Sequence, residues 1–220
     1  TLFPYTTLFR SHFHGPALPW QPMDDCAPPG IETIPEELGA VEEMYRIDYT
    51  QERLSRVKKR AIQRLYDADI HCMDTQVGRL LDALEAKRQL DRTLVVFTAT
   101  FGAELGDHHN YMLNYASPYH TVYRVPLLFR LPGLAPAGMR VPRAVHATDI
   151  AATVLPALGA PAPPGLEGAN LWPLVAQPNR ALPPAVSEYI DAKALILCGD
   201  RYRYIHNPSG YQQNTVPRPV

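Results

Sequence analysis

The chain has 220 residues, 46% of them hydrophobic and 20% charged, with a formal net charge of −1. That length can bury a sizeable core, and the near-neutral balance gives no electrostatic reason to expect nucleic acid or an anionic membrane as partner. Three scattered cysteines, Cys26, Cys72 and Cys198, show no C-x-x-C spacing and predict neither a disulfide framework nor a zinc site, and no apolar run reaches the 18 or so residues of a membrane span.

The first eleven residues, TLFPYTTLFRS, match one reading frame of a common sequencing adapter residue for residue. Residues 1–11 are therefore expected to be adapter-derived and not native, fused to a truncated gene. The next stretch, HFHGPALPWQPMDD, is Pro-rich, and Asp24-Asp25 reads as loop. After a Pro/Gly linker at Cys26–Ile34, Pro35-Glu36-Glu37 looks like a helix start, with Pro in the first turn and acids near the positive dipole end. Apolar residues then recur at three- and four-residue steps from about Gln51 to Lys87, predicting one long helix. Along it Arg56, Lys58, Lys59 and Arg60 read as a solvated face, and His71 with Asp74 as a solvated polar pair and not a metal pair.

A turn at Leu90-Asp91-Arg92 leads into Leu94–Thr98, and a loop rich in Gly, Asn, Tyr and His separates this from Val125–Leu131. Both runs have the length and β-branched or aromatic character of buried strands, and apolar residues on both faces predict parallel neighbours. Gly102 is expected to take a positive φ in the strand-end turn. Ligands of α/β sheets sit beyond the carboxyl ends of strands, which points to Thr98–His109. Asp107, His108 and His109 are the remaining ligand candidates there, a set chemically adequate for zinc or manganese. Farther on, Thr148-Asp149 should cap a helix running to Leu158, stopped by Gly159, and AVSEYI and ALILCGDRYRYIHN suggest antiparallel strands around Gly199-Asp200.

TLVVFTATFGAELGDHH followed by YHTVYRVPLLFRLPG resembles the second half of the sulfatase family, in the alkaline phosphatase superfamily. YDADIHCMDTQVGRLLDAL and HATDIAATVLPALGAPAPPGLEGANLWPLV resemble two further family segments, so the likeness runs over roughly His12–Asn207. The resemblance implies an α/β fold, an alkaline-phosphatase-like sandwich of helices on a mostly parallel sheet, truncated, with a small C-terminal antiparallel sheet. It implies adapter at 1–11, the C-terminal part of the α/β domain at 12–178, and a small antiparallel subdomain and tail at 179–220. His14, in an H-x-P setting, matches the family's sulfate-contacting histidine.

The chemical positions depart from the family. Its Asp-His metal pair falls on Thr100 and Phe101, its following Glu on Ala103, and the Glu after its conserved Tyr on His120, beside Tyr119. Its sulfate-contacting Lys should lie near Asn114 or Tyr115, yet no Lys occurs between Lys87 and Lys193. Calcium is the family's usual cation, and none is expected to bind this chain. Cys/Ser-x-Pro-x-Arg, the nucleophile segment, does not occur. The expected function is that of a sulfuric ester hydrolase by family, inactive as given, acting on a sulfated or phosphorylated small molecule or glycan. The alternatives are a non-catalytic sulfatase-like binding protein and a phosphoester or phosphonate hydrolase of the same superfamily.

Overall fold

A computed structural model describes residues 9–50, 52–107, 119–189, 194–199 and 202–206. The chain divides into two compact units, in the main His12–Leu131 and Pro132–Gly210.

The N-terminal unit is organised around two helices. The acids at Glu36-Glu37 open a 3-10 turn, Glu36–Gly39, and not the predicted helix; helix α1 follows at Val41–Thr50. The long helix α2 spans Arg56–Ala86, capped by Ser55, whose hydroxyl accepts the Lys58 N–H at 3.2 Å. The predicted periodicity therefore holds, but a break at 52–55 separates two helices. The break is stapled by a closed ion-pair network. Glu43 takes both Arg46 (2.6 Å) and Lys58 (2.9 Å), and Glu52 takes the same two cations at 2.6 and 3.1 Å.

Trp20, Ile34, Met44, Ile47, Ile62 and Leu65 form the unit's buried core. Trp20 lies edge-on to Tyr66 of α2, ring centroids 5.6 Å apart, and its backbone N–H donates to Gly39 O at 2.9 Å. The Pro-rich segment is thus anchored in the core. The cysteines correct the sequence expectation: Cys26 and Cys72 form a disulfide, S–S 2.06 Å. They lie 46 residues apart, and only the docking of the 20–26 segment on α2 brings them together, which no local spacing reveals.

Strands β1 (Val95–Thr98) and β2 (Leu127–Arg130) pair antiparallel with each other, Val95 opposite Arg130 and Thr98 opposite Leu127. Apolarity on both faces had predicted parallel neighbours. Among the described residues the pairing is instead antiparallel, and the approach to β2 carries one short helix, α3 (His120–Tyr123). Both strands are part-buried, and Leu128 is 56% exposed.

The C-terminal unit contains α4 (Asp149–Ala157), the single turn α5 (Pro173–Ala176) and a three-stranded antiparallel sheet in the order β3 (Ala185–Tyr189), β4 (Ala194–Cys198), β5 (Arg203–His206). The small antiparallel sheet is as expected, and Gly159 stops α4 with φ 66°. The cap differs in detail. Thr148 makes no side-chain cap; the buried Asp149 carboxylate instead accepts the His146 and Ala169 N–H groups, each at 2.7 Å.

Candidate functional site

The strand end that the sequence singled out is a clamped loop. Thr98 Oγ1 donates to Pro126 O at 2.9 Å, tying the end of β1 to the approach of β2. Gly102 N–H donates to Val122 O at 2.6 Å, seating the loop on α3. A Cβ on Gly102 would stand 2.0 Å from Thr121 O, so glycine is needed for close backbone approach. This corrects the expectation of a positive φ there; Gly106, at φ 86°, is the loop residue in the left-handed region. From the other side, α2 holds the carbonyls of Leu105 through Gln63 Nε2 (3.4 Å) and of Gly106 through Lys59 Nζ (3.1 Å). Lys59 is therefore engaged, as Lys58 is, and the solvated face assigned to this cluster holds only for its arginines.

What the clamp presents is chemically poor. Thr100 is exposed and offers one neutral hydroxyl, and Phe101 offers an apolar ring, 39% exposed. Asp107 is exposed, while His108 and His109 lie outside the described residues, as do Asn114 and Tyr115. Divalent cations such as calcium take six or more oxygen ligands, mostly carboxylate. The side chains of Thr100 and Phe101 supply one neutral oxygen and no carboxylate, so this donor set does not fit such a cation. Among the described residues no group of three or more His, Cys, Asp or Glu is placed to hold a metal ion. His71 and Asp74 are exposed on α2, as a solvated pair.

Sequence reasoning missed Glu104. Its carboxylate is fully buried, and Thr121 Oγ1 donates to it at 3.0 Å. Its one signal is that it is the sole acid between Thr98 and Gly106, inside a Gly- and Ala-flanked loop. It links the loop to α3.

His14 is exposed on the Pro-rich segment, its ring edge-on to His12 at 5.2 Å. The segment reaches α2 at Asp69. That carboxylate faces the Ala17 amide, and its Oδ2 would lie 3.7 Å from a Cβ on Gly15. Burial pushes the Asp69 carboxyl up to about 6, against the opposing pull of the Ala17 N–H. Gln63, which holds the loop, and Asp69, which faces the segment, are separated by roughly 9 Å along the α2 axis at 1.5 Å per residue. Cys26 and Cys72 are spent in their disulfide, and Cys198 of β4 is free and half-buried. Among the described residues no helix is long and apolar enough to cross a membrane.

Against this geometry, a family model described as Sulfatase matches residues 32–160, more than half of the chain. The N-acetylglucosamine-6-O-sulfatase of Bacteroides thetaiotaomicron is 32% identical over 118 residues, covering 54% of this chain and 21% of that protein. The choline-sulfatase of Rhizobium meliloti is 28% identical over 201 residues, covering 83% of this chain and 37% of that protein. Among solved structures, the phosphonate monoester hydrolase of Agrobacterium radiobacter superimposes with a TM-score of 0.59 at 28% identity, covering 68% of this chain and 34% of that one. The chain spans about a fifth and two fifths of the lengths of these two curated relatives.

Proposed function

This chain belongs to the sulfatase family and has its alkaline-phosphatase-like α/β fold, and from that premise we propose that it is part of a sulfuric ester hydrolase by descent and performs no ester hydrolysis itself. The observation that carries the reading is the loop after β1. Its frame, TLVVFT–x–x–x–G–x–x–LG, is kept and clamped by Lys59, Gln63 and the α3 backbone, while the two positions meant for charged donors hold Thr100 and Phe101.

The family is metal-dependent, with calcium its usual cation by resemblance, and the neutral pair at 100–101 does not suit that ion. No step through a metal is therefore assigned to this chain. Asp107, with His108 and His109 beyond the described residues, is the rival set for zinc or manganese. His14 is the substrate contact: an imidazolium offers a charge-assisted donor to an ester oxyanion. The substrate class is a sulfated small molecule or glycan, supported by the relatives that act on N-acetylglucosamine 6-O-sulfate and choline sulfate by name. The division into an α/β portion at 12–178 and a small antiparallel portion at 179–220 is part of the same reading.

A second reading has its own support. The likeness to a phosphonate monoester hydrolase suits a phosphoester or phosphonate substrate equally well at a neutral loop. Titrating the isotope-labelled chain with N-acetylglucosamine 6-sulfate and with a phenyl phosphonate ester separates the two. The sulfate sugar is expected to move the His14 ring resonances more than its desulfated parent does. A response to the phosphonate alone favours the second reading, and no response at His14 removes it as a contact.

A further inference from the structure

The first turns of α2 carry arginine along one exposed face. Arg56, Arg60 and Arg64 follow at four-residue steps, with Arg53 just before the helix, and all four are exposed. At 1.5 Å per residue the three helical positions span roughly 12 Å along the axis. Among the described residues none of the four is in an ion pair. The neighbouring lysines are different: Lys58 is neutralised by Glu43 and Glu52, and Lys59 is bonded to Gly106 O. Arg64 at the far end reaches the Gly30 turn, its guanidinium 3.1 Å from where a Cβ on Gly30 would stand. In that turn Glu32 is occupied by the Gly30 N–H at 2.9 Å.

This arrangement works against the helix that holds it. Like charges four residues apart repel. Cations near a helix N-terminus oppose the dipole, and the first turn of α2 contains no acid. The repulsion recurs along the stripe and the dipole penalty adds to it at Arg56, and breaches of local preference without a local return mark surfaces kept for a ligand. A bound linear polyanion would remove both at once.

We propose that Arg53, Arg56, Arg60 and Arg64 form a docking stripe for a sulfated polysaccharide, apart from the loop at 98–107. The identity of the anion rests on the sulfate-ester reading above; the demand for repeated negative charge rests on the stripe alone. Guanidinium forks meet sulfate oxygens two at a time, which a lysine face would not do. Nucleic acid fits less well, because Arg56, Arg60 and Arg64 share their face with no aromatic side chain on which a base could stack, and the net charge is −1.

The test uses the full chain, the Arg56→Gln/Arg60→Gln/Arg64→Gln variant and a heparin octasaccharide. Glutamine keeps the helix propensity and relieves the repulsion, so the variant should melt no lower than the wild type. The wild type is expected to bind the octasaccharide at about 50 mM salt, to lose roughly tenfold or more in affinity by about 200 mM, and to bind a DNA oligomer of equal charge roughly tenfold more weakly. The variant should lose about tenfold or more at the lower salt. Unchanged affinity in the variant, or DNA bound as tightly as the octasaccharide, overturns the proposal. N-acetylglucosamine 6-sulfate is too short to span the stripe, so its effect on His14 should persist in the variant. Absence of that response in the wild type, with octasaccharide bound by the wild type and lost in the variant, would count against the His14 reading and leave the stripe standing.

Discussion

Replacing one hydrogen of Gly102 by a methyl group would set carbon 2.0 Å from Thr121 O, and that neighbour is backbone and cannot swing aside. Gly102→Ala should therefore force the loop off α3, at a cost on the scale of overpacking, about 1–3 kcal/mol. Calorimetry should find the melting temperature lower by roughly 2–4 °C per kcal/mol for a chain of this size. Two carboxylates set a second expectation at this scale. Burial pushes Asp48 and Asp69 up to about 6 from 3.8. Between those values the folded chain holds more protons than the unfolded one, so stability falls as pH rises through the window. Glu43 runs the other way: its hydrogen bonds with Arg46, and then Lys58, hold it at about 2, so its contribution is complete above 4.5 and lost as pH falls towards 2. The melting temperature should peak at about pH 4–5, and Asp48→Asn/Asp69→Asn should flatten the limb above it. A wild-type curve rising steadily from about pH 4 to 7 would contradict this assignment.

Among the elements, α2 was legible because apolar positions repeat at three- and four-residue steps over its length, and the clamped loop was legible because its glycines and strand flanks stand in a recognisable frame. The break before α2 was not, since Leu54 continues the apolar pattern while Ser55 caps a new helix behind it. Glu104 escaped for a related reason: a buried carboxylate is identified by what folds over it, here Thr121 from seventeen residues on. The disulfide is the clearest case of long-range information, because Cys26 and Cys72 meet only after the Trp20 segment docks. Closing 46 residues in the unfolded chain corresponds to about 4 kcal/mol in the chain-entropy treatment. Reducing it, or substituting Cys26→Ser/Cys72→Ser, should lower the unfolding free energy by that order and bring the denaturation midpoint down with it. An unchanged midpoint would mean the pair is not formed in solution.

For the molecule as a whole, membership of the sulfatase family fixes the fold, and the chain covers only part of the length of its relatives. Among the described residues β1 and β2 pair only with each other, with Leu128 and Phe101 well exposed. Open strand edges and uncovered apolar side chains favour association. The purified chain is expected to elute above monomer mass and to bind a hydrophobic dye; a dye-silent monomer that melts cooperatively would refute this. Catalysis is where, on the reading proposed above, family and chain part. Removing a single electrostatic stabiliser commonly costs 10²–10³ in rate, about 3–4 kcal/mol, and here Thr100, Phe101 and the absent lysine leave the same cooperative assembly at once. The most direct measurement is release of nitrophenol from nitrophenyl sulfate by the purified chain, with calcium, zinc or manganese supplied in turn. No turnover above the buffer rate is expected with any of the three, and turnover above that rate, lost on mutation of His14 or Asp107, would contradict the reading of a kept framework without its chemistry.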